Sequence, residues 1–316
     1  MTHVLITGIA GFAGVGLTKE LLARGHDVSG LDIIGPLQSG IPDEVLDSLK
    51  KYHWKSCQDL RSYDLQGVDV VIHFAAQADV PMGFSSPRWT VENNILATLG
   101  VLEAAKGLPL EKIVLASSGN VFGRPLYLPI DEKHPQTCHN PYSASKACQE
   151  LLFWAYHRSY GLPIVIMRNG IVYGPGMRRE IFIYKWLHAL LRGKDIIVEG
   201  GAQTRDPCYA SDTMDAWRRV VEAPADKVVG EIFQISYGKE YKVLDIATIC
   251  VRFCQPYLIH TPKIDNAPYR PGEEGQRECF SIEKARRVLG YSPQISLLEG
   301  LQRTIDWIRT SKTAGP

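Results

Sequence analysis

The segment Thr7-Gly8-Ile9-Ala10-Gly11-Phe12-Ala13-Gly14 decides the fold of this chain of 316 residues. It follows the apolar run His3 to Thr7, which predicts a buried strand, and it opens the stretch Gly14 to Arg24, whose leucines recur on one helical stripe. Glycines allow a tight turn and let the main chain approach a pyrophosphate closely, and the N-terminus of the next helix offers free N–H groups. The order of strand, glycine loop and helix is therefore typical of a dinucleotide-binding unit.

An acidic residue follows where such units place a ribose-binding carboxylate. Val28 to Leu31 predicts a second strand, which ends at Asp32, about 20 residues downstream of the loop. This carboxylate can accept hydrogen bonds from ribose hydroxyls and would repel a 2′-phosphate, so the sequence favours NAD over NADP. A surface aspartate after a close-packed turn is the alternative. Farther on, Asp59 and Leu60 either receive an adenine, by hydrogen bonding and packing, or belong to a solvated loop.

The front half of the chain continues to alternate strands with helices. Three nearly continuous apolar runs suit strands that are buried on both faces of a parallel sheet: Val68 to Phe74, Lys112 to Ser117 and Pro163 to Arg168. Helical stretches separate them, Asn94 to Lys106 and Ser143 to Tyr160. We therefore predict an α/β protein with a doubly wound parallel sheet, the Rossmann arrangement.

The pattern changes after about Gly176, where apolar runs shorten and Pro and Gly become more frequent. This half predicts a smaller mixed α/β lobe that binds substrate. The expected division is an NAD-binding Rossmann domain over residues 1–175, which also receives parts of 207–237, and a C-terminal lobe over residues 176–316.

Composition excludes several classes of function. Lys plus Arg number 35 and Asp plus Glu 34, a net charge of +1, so we expect no nucleic-acid partner. No apolar run reaches the length of about 20 residues that spans a membrane. The odd count of 7 cysteines without a C-x-x-C pair indicates reduced thiols in the cytoplasm. His134, Cys138 and His139 do not have zinc-ligand spacing, so we expect no metal.

Two side chains in the middle of the chain suggest acid–base chemistry. Tyr142 and Lys146 lie four residues apart, which places them on one face of a helix. An ammonium group near a phenol stabilises the phenolate, which lowers the pKa of the tyrosine and makes it a usable base. The pair alone is weak, because a surface pair at this spacing needs no chemistry. Ser117 and Ser118 strengthen it, since they end a strand at the sheet edge where doubly wound folds place their sites.

Taken in order, the motifs resemble the extended short-chain dehydrogenase/reductase superfamily, in particular the NAD-dependent epimerase/dehydratase group that acts on nucleotide sugars. The resemblance covers nearly the whole chain. Its motifs are Thr7 to Gly14, His73-Phe74-Ala75-Ala76, Ser117 to Gly123, Asn140 to Lys146, Arg168 to Gly176, Gly200 to Asp206, Tyr269 to Glu273, Lys284-Ala285 and Leu289-Gly290-Tyr291.

The resemblance implies a set of functional residues. The implied catalytic residues are Ser118, Tyr142 and Lys146. Cofactor contacts are implied for Gly8, Gly11, Phe12, Ala13, Gly14, Asp32, Asp59, Leu60, Phe74, Ala75, Ala76, Gln77, Asn94, Ser117, Tyr142 and Lys146. Substrate contacts are expected from Ser118, Asn120, Asn169, Gln203, Arg205 and Arg270. The two arginines are candidates to clamp a diphosphate, because a guanidinium group fits phosphate bidentately, and structural salt bridges are their alternative role.

Departures from the family pattern lie around the substrate. The 4,6-dehydratases of the group carry an acid pair where this chain has Gly119-Asn120, so dehydration lacks its acid and base. Ile171 replaces an asparagine, Ser281 an aspartate, and Gly83 a serine. These differences suggest an altered substrate pocket.

The resemblance therefore implies an NAD-dependent 4-epimerase of a nucleotide-diphosphate sugar. It also implies a homodimer formed through the helices at 94–106 and 143–160. A net nucleotide-keto-sugar reductase and a non-catalytic dinucleotide-binding regulator are the alternative hypotheses.

Overall fold

The structure is a computed structural model and describes residues 1–311. Its strands are β1 (His3–Thr7), β2 (Asp27–Asp32), β3 (Lys51–Trp54), β4 (Val70–His73), β5 (Lys112–Ser118), β6 (Ile164–Asn169), β7 (Ile171–Tyr173), β8 (Ile196–Glu199), β9 (Thr204–Arg205), β10 (Pro207–Tyr209), β11 (Glu231–Ile235), β12 (Tyr241–Lys242) and β13 (Ile264–Ala267). Its α-helices are α1 (Phe12–Ala23), α2 (Asp43–Leu46), α3 (Val80–Ser85), α4 (Pro87–Ala105), α5 (Pro141–Tyr160), α6 (Phe182–Leu190), α7 (Ala210–Glu222), α8 (Ala225–Val228), α9 (Val243–Cys254), α10 (Glu283–Leu289) and α11 (Leu297–Thr310).

Seven of the strands form one parallel sheet in the order β11-β6-β5-β4-β1-β2-β3. The strand order reverses direction between β1 and β4, which is where doubly wound sheets open a crevice at their carboxyl ends. Thr7 is paired with Leu31 on one side and with His73 on the other, so the chain leaves all three strands side by side. The predicted doubly wound sheet is confirmed.

The sheet is buried on both faces, and consecutive residues of a strand serve opposite faces. Val4 and Ile6 of β1 pack into the cluster that contains Leu17 of α1 and Trp217 of α7. Leu5 belongs to the opposite cluster, with Val101 of α4 and Phe153 of α5. Continuous apolar runs in the sequence therefore reflect helices on both sides of the sheet.

A third apolar cluster forms the smaller lobe, where α6, α9 and α11 pack together with β8. The short strands of this half pair as β8 with β13, β7 with β10, and β9 with β12. Trp186, Leu187 and Leu190 of α6 are buried in this cluster. No helix within residues 1–311 is both long and apolar enough to cross a membrane.

The chain passes between the two halves more than once. The strand β11 lies at the edge of the large sheet, and α7 packs on α1. Both elements fall in the region 207–237 that the sequence analysis shares with the first domain. Leu289 of α10 and Tyr291 also pack in the cluster of the large sheet, although the predicted division assigns them to the C-terminal lobe.

Candidate active site

A cavity of about 580 Å³ lies at the carboxyl edge of the sheet, beneath the smaller lobe. A volume of this size suits a small ligand or cofactor. Most of the residues predicted from the sequence line it: Gly8, Gly11, Phe12, Ala13, Gly14, Asp32, Phe74, Ala75, Ala76, Gln77, Ser117, Ser118, Asn120, Tyr142, Lys146, Asn169, Arg205 and Arg270. Asp59, Leu60, Asn94 and Gln203 do not.

The glycine loop is a site where side chains do not fit. Gly8 has φ 71°, and a Cβ atom there would lie 2.8 Å from the amide nitrogen of Ala75. A Cβ atom on Gly14 would lie 2.4 Å from the carbonyl oxygen of Gly8. No side chain caps the first turn of α1. Its N–H groups therefore face the cavity with a positive dipole end, as an anion such as pyrophosphate requires.

Asp32 fastens this loop to the end of β2. Its side chain accepts hydrogen bonds from the main-chain N–H of Ala10 (2.9 Å) and of Ile34 (3.0 Å). Each carboxylate oxygen keeps a second acceptor position, which a ribose hydroxyl can use. The structure thus gives Asp32 a loop-holding role that spacing along the sequence does not indicate.

Two predicted adenine contacts lie elsewhere, because the chain turns just after β3. Asp59 is exposed in a short helical turn, and Leu60 is buried against the core below α4. Ser56 and Cys57 line the cavity in their place. Gly100 permits this arrangement, since a Cβ atom there would lie 2.1 Å from the carbonyl oxygen of Cys57.

Asn94 supports the cavity wall from behind. It is fully buried, accepts a hydrogen bond from the N–H of Gln77 (2.6 Å), and donates to the carbonyl oxygen of Gln77 (3.0 Å) and the hydroxyl of Ser145 (2.9 Å). Gln77 lines the cavity, so Asn94 positions a wall residue and does not itself face the cofactor space.

The predicted catalytic side chains come together on the opposite wall. Tyr142 stands in the first turn of α5, which begins at Pro141 because Asn140 accepts a hydrogen bond from the N–H of Ser143 (2.8 Å). Tyr142, Lys146 and Ser118 are 7%, 4% and 7% exposed. Their burial limits access to the reacting groups to the cavity itself.

Gly83 explains one departure from the family pattern. A Cβ atom on Gly83 would lie 3.1 Å from Cβ of Tyr142, so α3 packs directly against the start of α5. This close approach fixes the main chain that carries Tyr142.

Burial shifts the pKa values of both Tyr142 and Lys146. Burial lowers the pKa of Lys146 to about 7, although the Glu150 carboxylate opposes the shift, and its ammonium group donates to the carbonyl oxygen of Ala116 (2.9 Å). Burial raises the pKa of Tyr142, while a hydrogen bond with Ser118 and the charge of Arg178 lower it. Arg178, which the sequence analysis did not single out, therefore adds a positive charge near the phenol and lines the same cavity as Tyr142 and Lys146.

A buried ion pair supports the wall below Lys146. Glu150, one turn farther along α5, accepts hydrogen bonds from Arg168 at 2.9 and 2.7 Å. It also accepts from the hydroxyl of Ser117 and from Gln136 (2.6 Å). The sequence analysis missed Glu150, although its spacing of four residues from Lys146 on one helix is the signal that could have found it.

The end of the cavity that contains the predicted substrate contacts Arg205 and Arg270, which we call the substrate end, has charges of both signs. Arg205 is 5% exposed, and its guanidinium group lies 3.0 Å from Glu273 and 3.5 Å from Glu278. Arg270 pairs with Glu273 at 2.9 Å and with Glu199 at 3.2 Å. Both arginines line the cavity and both form salt bridges, so the structure shows the second of the two roles that the sequence leaves open.

Gln203, a predicted substrate contact, lies outside the lining of the cavity. Its side-chain oxygen accepts from the N–H of Gly201 (2.6 Å), its amide donates to the carbonyl oxygen of Glu199 (2.7 Å), and it is 3% exposed. All of these bonds are to its own loop, so Gln203 shapes the turn and does not face the cavity. Ile171, by contrast, lies on the cavity wall and makes it more apolar.

Comparisons with known proteins agree with this geometry. Residues 5–304 match the sequence model of a family described as GDP-mannose 4,6 dehydratase. The chain is 32% identical to a putative UDP-glucose 4-epimerase of Methanocaldococcus jannaschii, covering 98% of this chain and 99% of that protein.

Solved structures of both reaction types superpose on the chain. One is the UDP-glucuronic acid 4-epimerase of Bacillus cereus in complex with UDP-glucuronic acid and NAD, with 29% identity, a TM-score of 0.89, and coverage of 98% and 99%. Another is the dTDP-glucose 4,6-dehydratase of Streptomyces venezuelae with NAD and TYD bound, with 29% identity, a TM-score of 0.89, and coverage of 99% and 98%. The chain belongs to the NAD-dependent epimerase/dehydratase family of extended short-chain dehydrogenases/reductases, whose members act on nucleotide sugars.

Proposed function

We propose that this protein is an NAD-dependent epimerase that inverts C4 of a nucleotide-diphosphate sugar. The family includes epimerases and dehydratases, so the choice between the reactions depends on the side chains beside the reacting carbons. Epimerisation needs one group that removes and returns a proton at the C4 oxygen, whereas 4,6-dehydration needs a further acid and base to eliminate water.

The residues of the turn after Ser118 favour one of the two reactions. At Gly119 a Cβ atom would lie 2.3 Å from the ring of Phe280, so the place of the first dehydratase acid is filled by an aromatic side chain. At the second place, the amide of Asn120 donates to the hydroxyl of Ser118 (3.3 Å). An amide does not exchange the proton that elimination requires, so the turn supports epimerisation.

The chain also suits the cofactor. The space beside Gly8 and Gly14, which any Cβ atom would fill, and the uncapped N-terminus of α1 suit a pyrophosphate. The Asp32 carboxylate that follows suits a ribose. These residues, with Phe74 and Ala75 at the end of β4, would hold NAD. When bound, NAD supplies a hydride acceptor and donor for C4.

The roles of the chain's own residues follow from their positions. The phenolate of Tyr142 accepts the proton of the C4 hydroxyl and later returns it, and Ser118 donates a hydrogen bond to the same oxygen. The cation of Arg178 favours the phenolate, because an opposite charge stabilises the ionised form. The 4-keto sugar turns over in the cavity between the two proton transfers, so the products differ only at C4.

Product analysis tests this function. The protein is incubated with UDP-, GDP- and dTDP-glucose and with UDP-glucuronate, and the products are separated. We expect the C4 epimer of at least one substrate, without net formation of reduced nicotinamide. A 4-keto-6-deoxy product would establish a dehydratase, and a stoichiometric absorbance change of the nicotinamide would establish a net redox enzyme.

We also propose a homodimer in the cytoplasm. Leu96 of α4 and Leu151 of α5 are 43% and 65% exposed although they are apolar, which suits helices that pack against a second copy. Its mass in solution, measured by light scattering, tests the dimer.

A further inference from the structure

The substrate end of the cavity is not a positive patch. Arg205 and Arg270 supply two cations, and the carboxylates of Glu199, Glu273 and Glu278 surround them. The sum of these formal charges is negative when all three acids are ionised. A nucleotide diphosphate that binds here therefore meets two arginines that already have partners.

Glu278 differs from the other two acids. Its side chain is 12% exposed and lines the cavity, and its carboxylate lies 3.5 Å from Nε of Arg205, longer than a good charge-assisted hydrogen bond. Its main-chain N–H donates to the hydroxyl of Thr204 (3.1 Å), which fixes it beside Arg205. Burial raises the pKa of Glu278, the charge of Glu273 adds to this effect, and Arg205 opposes it.

An incoming diphosphate changes the balance at this carboxyl group. Its negative charge weakens the hold of Arg205 on Glu278, because the guanidinium group turns its donors toward phosphate. An ionised Glu278 would then stand beside the phosphates without compensation, in a partly buried site where such repulsion is costly. The neutral acid removes the repulsion and has an O–H group that can donate to a phosphate oxygen.

We propose that Glu278 is a substrate-binding residue that acts as a neutral acid, so that the nucleotide diphosphate binds together with one proton. This inference rests on the proposed function, which places a diphosphate between Arg205 and Arg270. The proton comes from solvent and stays on the Glu278 carboxyl group while the ligand is bound.

Other titratable groups near the cluster must be separated from Glu278. His139, on the loop before α5, is close enough to Glu273 and Arg205 to feel their charges, and burial lowers its pKa. Glu240 and Arg277 form an ion pair outside the cavity. Arg270 and Glu199 are further charged groups of the cluster, and Asp206 and Cys279 directly follow Arg205 and Glu278 in the chain.

Calorimetry of nucleotide-sugar binding tests the proposal. UDP-glucose, with GDP- and dTDP-glucose in parallel, is titrated into the intact protein in buffers of different ionisation enthalpy. The diphosphate diester of a nucleotide sugar does not titrate near neutrality, and epimerisation of the sugar neither takes up nor releases protons. Above the pKa of Glu278 in the free protein, we expect uptake of about one proton per site and an affinity that falls about tenfold per pH unit.

Variants locate the proton. Glu278→Gln mimics the neutral acid, so we expect no proton uptake, a pH-independent affinity, and binding at about pH 8 at least about tenfold tighter than that of the wild type. Glu274→Gln, an exposed acid of the same loop, should behave as the wild type.

Three results would overturn the proposal. One is wild-type binding without proton uptake at about pH 8, and another is uptake that persists in Glu278→Gln. The third is uptake that disappears in His139→Gln. Each of these leaves the proposed epimerase intact, whereas failure of all three nucleotide sugars to bind at any pH would overturn the proposed function as well.

Discussion

The two ends of the cavity are built by different physical means. At the cofactor end, main-chain atoms approach so closely that Gly8 and Gly14 have no room for a side chain. At the substrate end, charged side chains meet from distant parts of the chain, such as Arg205 and Glu273, which are 68 residues apart. The first end is sensitive to added volume and the second to a removed charge. The contact of Gly14 with Gly8 lies within one loop and leaves a local sequence motif, whereas the contact of Gly8 with Ala75 and the ion pair of Arg205 with Glu273 join distant segments.

The reacting group stands where the two ends meet, and its loss should have the largest effect. Tyr142→Phe removes the proton acceptor at C4, so we expect turnover to fall by about 10²–10⁴-fold with the fold intact. Steady-state rates with the preferred nucleotide sugar measure this. Tyr160→Phe, an exposed residue of the same helix, is the control. Near-normal turnover of Tyr142→Phe would exclude it as the acid–base residue.

Removal of a charge at the substrate end should destabilise the protein. Arg205→Met leaves Glu278 in the cavity without its cation and Glu273 with Arg270 alone, so we expect the free energy of unfolding to fall by about 3–5 kcal/mol at neutral pH. Arg277→Met breaks an exposed ion pair with Glu240 and should cost less than about 1 kcal/mol. Urea unfolding compares the two. Equal losses would show that burial does not distinguish these ion pairs.

Added side-chain volume at the cofactor end should destabilise the protein and weaken NAD binding. In Gly14→Ala the new methyl group would lie 2.4 Å from the carbonyl oxygen of Gly8, so we expect a loss of about 1–3 kcal/mol and weaker NAD binding. In Gly16→Ala, two residues along the same helix, the methyl group meets only the flexible side chain of Met214 at 3.2 Å. That variant should be neutral or gain up to about 1 kcal/mol from helix propensity. Similar losses in both variants would contradict the steric explanation.

The last expected effect is a pH dependence of stability where the two ends meet, which is small per pH unit. Because Lys146 has a pKa of about 7 in the folded protein and 10.5 ordinarily, only the unfolded chain holds its proton between these values. Stability of the cofactor-free protein should therefore rise with pH across this window, by at most about 1.4 kcal/mol per pH unit from this group.

Lys146→Met should remove that rise. Urea unfolding of both proteins at several pH values in the window gives the difference, in which the titration of other groups cancels. Parallel pH profiles of the two proteins would show that burial does not perturb Lys146.

The sequence analysis succeeded where a role depends on neighbours along the chain. The glycine loop, the alternating apolar strands, and the Tyr142–Lys146 spacing are local patterns, and the structure brings them to one cavity. A motif does not say whether a side chain points into the cavity or back to its own support. Asn94 and Gln203 match family motifs, yet hydrogen bonds to Gln77 and to Glu199 direct them away from the cavity.

The sequence by itself therefore determined the fold, the family, and the wall that would receive the cofactor. The reason is that strand burial and the tight glycine turn depend on residue types that are neighbours along the chain. Only the tertiary structure decided the charge of the substrate end. Arg205 meets Glu273 and Glu278 through folding of separate loops, and Phe280 fills the space beside Gly119 in the same way. Coulomb interactions and packing depend on distance in space, which spacing along the chain does not reveal.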